Sequence, residues 1–366
     1  MAKAKLFKAA SPLLVLALVL ALTLVPVAAP QAVSAAEGQQ AVTGTANSSN
    51  VAPSITTVTL KNATYDAASE MTPQITFALN MTISDNNTLD DISTINIAIY
   101  YDTGVGTNGT RPSTWTSSSW DADECAIYNW TKANGWAMVN GSAITTWALN
   151  GTINSDTPSD LTLTEDTWSL AFKPGKLAME AGGGDTDEWC FCVNVTDATG
   201  ATAEDISAVA NSMSAYLGIV TTVSSISFGD VAPGATAAIQ TPGSHILGTN
   251  VTSNDAYELK GNSTSPWTTG TYTMTLTGEN TTPTGTRQFA LTIDDGGDAS
   301  GHPTTAQAVN TTLSQITGLG SVAAPTTAAT VSEGTSDTSL YMDIMLGNDI
   351  HIGTYTGTIY LQAINA

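Results

Sequence analysis

The residues best equipped for chemistry in this chain are its clustered carboxylates. They fall in four groups: Asp85/Asp90/Asp91, Asp121/Asp123/Glu124, Asp185/Asp187/Glu188 and Asp294/Asp295/Asp298. Each lies at a predicted strand end or in a loop containing Gly or Asn. Hard divalent cations take several carboxylate and carbonyl oxygens, and such loops can wrap them. Asp85, Asp90 and Asp91, and Asp294, Asp295 and Asp298, are therefore candidate calcium ligands, although no cluster matches the twelve-residue calcium loop. The competing reading is a solvated turn with Asp as turn-former.

The second signal is the N-x-S/T sequon, beginning at Asn47, Asn62, Asn80, Asn86, Asn108, Asn129, Asn140, Asn150, Asn194, Asn250, Asn262, Asn280 and Asn310. Composition alone accounts for roughly half of these. Asn80 and Asn194 fall on the polar, outward side of their strands, where a glycan can be accommodated.

The three cysteines are Cys125, Cys190 and Cys192. Export permits a disulfide. Cys190 and Cys192 are two apart on one strand and point the same way, which disfavours a bond between them. The expected bridge joins Cys125 to Cys190 or Cys192, and a cysteine metal site lacks ligands at this spacing. His245, His302 and His351 are scattered, and neither an HExxH pair nor a GxSxG elbow occurs. No catalytic residue is expected, and the chain reads as a non-enzyme. Seven of the eight tryptophans, from Trp115 to Trp189, lie in the first expected domain, residues 55–202. Trp115 and Trp120 sit in a Ser/Thr-rich stretch where they would stack on sugars if exposed, or pack over the fold if not.

The elements that position these residues read as strands. Ile75, Phe77, Leu79, Met81 and Ile83 alternate with polar or small residues. So do Ile95, Ile97, Ile99 and Tyr101, then Trp168, Leu170 and Phe172, then Trp189, Phe191, Val193 and Val195. A period of two with one apolar face marks half-buried antiparallel strands. The later strands expected are Val223–Phe228, Tyr272/Met274/Leu276, Phe289/Leu291/Ile293, Leu340 to Leu346 and Tyr355–Leu361. Thr-rich polar positions, with Gly 31 and Pro 14, favour many short strands joined by turns. No heptad or long helical period appears.

Residues 1–36 read as a signal peptide: Lys3, Lys5 and Lys8, an uncharged run from Leu13 to Val25, then small residues up to Ala36. That run is short for a membrane span, and no second one follows, so no transmembrane anchor is expected in the mature chain. Residues 37–54 read as a flexible arm, 55–202 as a Trp-rich sandwich, 203–214 as a linker and 215–366 as a second sandwich. The segment removed holds three of the ten Lys+Arg and none of the 32 acids, leaving a mature charge of −25. Such a chain repels nucleic acid. Only 11% of residues are charged, so glycans and hydroxyls must supply hydration.

The stretches ISFGDVAPG, TNVTSNDAYEL and GTYTGTIYLQA resemble strands of Ig-like sandwiches in secreted microbial surface proteins. NMTISDNNTLDDISTINIAIYYD through WCFCVNVTDATG is similar to Ig-like modules of archaeal and bacterial S-layer-type envelope proteins. The resemblance implies an all-β fold with two antiparallel Ig-like β-sandwich domains at the cell surface. The expected role is a structural subunit of an S-layer, sheath or filament, associating with itself or other envelope proteins. A glycan-binding adhesin is the alternative and a secreted hydrolase a more distant one.

Overall fold

The computed structural model describes residues 44–102, 114–116, 124–139, 146–182, 188–238, 246–305, 307–316 and 335–365. The expected signal peptide, Asn108, Asn140, Trp120, Asp121, Asp123, Asp185 and Asp187 lie outside them. The chain is all-β with several sheets, and among the described residues the one helical turn is a short 3-10 turn at Leu89–Asp91. Among the described residues no helix is long and apolar enough to cross a membrane.

The N-terminal strands are β1 (Ser54–Asn62), β2 (Glu70–Met71), β3 (Phe77–Ser84), β4 (Ile92–Asp102), β5 (Cys125–Thr131), β6 (Gly135–Met138), β7 (Ala148–Leu149), β8 (Glu165–Lys173), β9 (Glu188–Asp197) and β10 (Thr202–Met213). They form a four-stranded sheet, β1-β3-β8-β7, and a six-stranded sheet, β2-β10-β9-β4-β5-β6. The alternation read from sequence is what joins them. Leu79, Met81, Ile83, Trp168, Leu170 and Phe172 from one sheet meet Ile95, Ile97, Ile99, Trp189, Phe191, Val193 and Val195 from the other in a single core. Ile75 drops out of the pattern: it precedes β3 and is exposed.

Residues 203–214 are not a linker. Nearly all of them lie in β10, which pairs antiparallel with β9 and, through Ser212 and Met213, parallel with the short β2. The strand is lightly covered on its far side, so Ala, Glu and Asp sit where a central strand would carry alternating large apolar residues, and the period-two signal is lost.

The C-terminal strands are β11 (Leu217–Thr221), β12 (Thr236–Ala238), β13 (Ile246–Ser253), β14 (Tyr257–Ser263), β15 (Trp267–Thr269), β16 (Tyr272–Leu276), β17 (Gln288–Asp294), β18 (Gln307–Ala308), β19 (Ser314–Gln315), β20 (Thr335–Leu346) and β21 (Ile359–Asn365). An eight-stranded sheet is built on β11-β13-β20-β17-β16-β15, and a three-stranded sheet on β19-β14-β21. A second core gathers Leu247, Leu259, Trp267, Phe289, Leu291, Leu340, Met342 and Ile344. Two expectations shift here. Residues 223–228 form no strand, the opening strand being β11, and the last strand runs Ile359–Asn365 rather than 355–361. Pairing is antiparallel except for β2 with β10 and β16 with β17.

Asn254, 4% exposed, ties the end of the N-terminal half to the C-terminal half. Its Nδ2 donates to the carbonyls of Ala178 at 2.7 Å and Ser214 at 3.0 Å, and its Oδ1 accepts the Tyr216 N–H. An unpaired buried polar group costs about 1–3 kcal/mol, so Asn254→Ala should destabilise the chain by ~2–4 kcal/mol. Denaturant unfolding with the slope m unchanged measures this, and a loss below ~0.5 kcal/mol would show that the clamp is not structural.

Candidate metal centre

The end of the N-terminal half remote from Asn254 gathers three carboxylates. Asp85 follows the last residue of β3, Asp91 immediately precedes β4, and Asp197 ends β9. Central β4 pairs with β9 from Ile92↔Asp197 onward, so their sequence-distant ends are neighbours. The 3-10 turn folds residues 85–91 back: Leu89 is fully buried, and its N–H donates to the Leu163 carbonyl at 2.8 Å. One carboxylate oxygen from each of Asp85, Asp91 and Asp197 lies within 4.8 Å of the others.

The individual groups differ in how they are held. Asp85 is 1% exposed; its Oδ1 accepts the Asn87 N–H at 2.8 Å, whereas its Oδ2 is buried without a hydrogen-bond partner. Burial pushes the Asp85 carboxyl above its ordinary 3.8; the Asn87 N–H opposes this, and the charges of Asp91 and Asp197 add to it. Asp197 is also buried, which pushes its carboxyl up. Hydrogen bonds from Asn50, Thr199 and the Ala201 and Thr199 N–H groups outweigh this and hold it below the usual value. Asn50 Nδ2 reaches Asp197 Oδ2 at 2.7 Å, and the Val51 N–H donates to Asn87 Oδ1 at 2.8 Å, so the incoming chain is fastened beside the cluster. Thr88 adopts φ 103°, a conformation that costs a β-branched residue about 1–3 kcal/mol and is found where a loop is shaped for a site.

Among the described residues no Lys or Arg forms an ion pair with any of the three acids. Three carboxylates around one orphaned oxygen suit a hard cation such as Ca²⁺, which takes 6–8 oxygens at 2.3–2.6 Å, with backbone carbonyls and water completing the shell.

The sequence-predicted ligands thus divide. Asp85 and Asp91 converge. Asp90 does not: it is exposed and bonded to Lys132 at 2.7 Å. Asp197, unassigned from sequence, replaces it. It sits in an ordinary Asp-x-x-Gly turn, and only the β4–β9 pairing reveals its proximity. Asp294, Asp295 and Asp298 form no such group. Asp294 is buried and accepts Thr304 Oγ1 at 3.2 Å and the Thr305 N–H. Asp298 closes a turn, accepting the Ser300 and His302 N–H groups at 2.8 and 3.0 Å.

The expected disulfide is absent: Cys125, Cys190 and Cys192 are all buried, and none is bonded to another. The register explains why. Cys125 lies opposite Tyr100, and Tyr100 opposite Cys190. Strand β4 therefore stands between the two sulfur-bearing strands. Two strand spacings put the Cα atoms about 10 Å apart, beyond the ~7 Å a disulfide spans. Cys192 is likewise separated from β5, by Ala98. Burial and the adjacent Glu188 carboxylate push the Cys190 thiol up to about 12, which keeps it protonated at neutral pH when no metal is bound.

Trp130, Trp147, Trp168 and Trp189 are core residues, and Trp115 is half-buried against the outer apolar cluster of the six-stranded sheet. Of the sequons, Asn47, Asn86 and Asn280 are exposed. Asn62, Asn80, Asn129, Asn150, Asn194, Asn250, Asn262 and Asn310 are half-buried. Asn80 Oδ1 is enclosed, and Asn129 Nδ2 donates to Asn96 Oδ1 at 2.7 Å. A groove of about 1110 Å³ opens in the C-terminal half, lined by Phe228, Trp267, Met342 and Tyr355 among others. Among the described residues of its wall, Asp230 and His351 are the only Asp, Glu or His side chains, so these present no carboxylate pair.

No protein-family model matches the chain, and comparison with curated proteins gives no match.

Linkage gives signs for the candidate centre. Asp85 holds its proton more tightly in the fold, so without metal it costs stability as pH rises through its unfolded value, and the cost persists at neutral pH. Asp197 is the opposite case: its contribution is present above 3.8 and is lost as pH falls through its lowered folded value. At tenfold excess over Kd, calcium stabilises by about 1.4 kcal/mol, or ~3–6 °C in Tm. At pH 7, Asp85→Asn should raise the metal-free Tm and abolish the calcium gain. Asp197→Asn should lower the metal-free Tm and abolish the gain too, while Asp90→Asn should leave both unchanged. Calorimetric scans with and without calcium read all three; a gain that survives Asp85→Asn would remove this cluster from consideration.

Proposed function

We propose that the chain is a structural subunit of a cell envelope or extracellular layer, exported, N-glycosylated and stabilised by divalent cations, with each half an Ig-like β-sandwich. The observation that carries this reading is the Asp85/Asp91/Asp197 cluster. A buried carboxylate oxygen without a partner is costly unless an ion satisfies it. The millimolar calcium outside cells suits sites of modest affinity on extracellular modules. The acidic composition supports the same reading, since packed subunits carrying −25 each need cations to offset their repulsion. Sheet ends such as β1, β6 and β21 supply backbone edges through which subunits can join. The adhesin alternative draws less support, because the four tryptophans named above are spent on the core.

Electron microscopy of the purified mature chain tests the assembly. Ordered arrays or filaments should form with millimolar calcium and disperse on chelation, with no glycosidase or peptidase activity. A chain that stays monomeric under these conditions while binding a defined oligosaccharide would replace this reading with the adhesin. Glycopeptide mass spectrometry tests the coat: Asn47, Asn86 and Asn280 should be occupied most fully, and Asn80 and Asn129 least. Unmodified Asn86 and Asn280 in native material would refute it.

A further inference from the structure

At the opposite end of the β4–β9 pair lies a second group of donors of different chemistry. Asp102, the last residue of β4, faces Glu188, the first of β9, and Tyr100 faces Cys190. Residues paired across strands share a face, and residues two apart on one strand share it too. All four side chains therefore project from the outer face of the six-stranded sheet at one corner. They are 1%, 7%, 1% and 0% exposed for Asp102, Glu188, Tyr100 and Cys190. The Cys190 thiol donates to Glu188 Oε1 at 3.5 Å, and one ligand atom each from Asp102, Glu188 and Cys190 lies within 4.8 Å of the others. Beside the thiol sits the Tyr100 hydroxyl, fully enclosed and without a hydrogen-bond partner of ordinary geometry.

We propose that Asp102, Glu188 and Cys190 bind a thiophilic divalent cation, zinc, with the Tyr100 hydroxyl turned toward its fourth position. The donor set separates this site from the calcium cluster. A cysteine sulfur with two carboxylate oxygens suits a borderline-soft ion and not a hard one. Ligand atoms of tetrahedral zinc stand about 3.5 Å apart, so a span of 4.8 Å closes by small rotations of the Asp102 and Glu188 side chains. The strands set the positions: Glu188 and Cys190 come from one and Asp102 from its hydrogen-bonded neighbour, so no loop need close. Binding releases the thiol proton to solvent as the sulfur becomes a thiolate ligand. The site also supplies a role for a cysteine that the fold keeps out of any disulfide. It stands independently of the envelope reading.

The test is metal binding by the purified, reduced chain. Equilibrium dialysis should leave one tightly held zinc per chain. The cobalt-substituted protein should show a thiolate-to-metal charge-transfer band in the near ultraviolet. Cys190→Ser should abolish that band and weaken zinc binding tenfold or more, whereas Cys192→Ser and Asp197→Asn should change neither. Glu188→Gln, which keeps the side-chain shape, should weaken zinc binding with the circular dichroism spectrum unchanged, so the loss can be read even if Cys190→Ser misfolds. Absence of stoichiometric zinc or of the cobalt band in the wild-type chain overturns the proposal. So does a band that survives Cys190→Ser, or one lost in Cys192→Ser with the fold intact.

Discussion

The structure depends on one pairing, that of β4 with β9. These strands are central in the six-stranded sheet and antiparallel over their whole length, from Ile92↔Asp197 to Asp102↔Glu188. Their inner faces supply much of the N-terminal core, and β5 and β10 are added on either side. The pairing also decides where the chemistry falls. The register that buries Ile95, Ile97, Phe191 and Val193 places carboxylates at both ends of the ladder: Asp197 beside Asp85 and Asp91 at one, Asp102 beside Glu188 at the other. A slip of one residue would invert every side chain and dissolve both groups together with the core. Stability of the sheet and geometry of the two clusters are thus one constraint.

The same pairing accounts for the state of the cysteines. A disulfide between β5 and β9 would have to bridge β4, which the ladder forbids. Strand-level reading placed Cys190 and Cys192 correctly on one face, yet it held no information on which strands are neighbours. Neighbour order is a long-range property. The strand adjacent to Cys190 is β4, some ninety residues earlier, and nothing local to either segment announces it.

That distinction separates what could be read in the sequence from what could not. The strands with strong alternation, Phe77 to Ile83, Ile95 to Tyr101 and Trp189 to Val195, emerge where the apolar period puts them, because burial on one face is written directly into residue type. Strand β10 and residues 223–228 fail in opposite senses. Thr202–Met213 lacks a large apolar stripe and yet is held by ladder bonds to β9. The stretch 223–228 has alternating apolar residues and finds no partner strand. Pairing, not propensity, settles both. The candidate metal centre was half visible for the same reason. Asp85 and Asp91 bracket one turn and can be associated locally, whereas Asp197 enters only through the sheet, and Asp90 leaves because its side chain points out to Lys132.

Placing acids at strand ends has a further physical consequence. Among the described residues most carboxylates face solvent at least in part, where charge costs little. Asp85, Asp102, Glu188, Asp197, Asp294 and Asp343 are buried instead, and a buried carboxylate must be satisfied by donors, by a proton or by a cation. Asp197 is satisfied by donors, chiefly Asn50 and the turn through Ala201. Asp85 has only one oxygen so served. The fold therefore carries a local deficit at the end of its central ladder that hydrogen bonds within the described chain do not remove. A cation removes it without altering the core. If calcium fills the proposed site, the architecture should persist without it, and the gain in rigidity should fall where the incoming chain is fastened, at Asn50 and Val51. On the proposed reading, cation supply would bear on how firmly that end is held rather than on whether the sheets form, as the proposed extracellular layer would require.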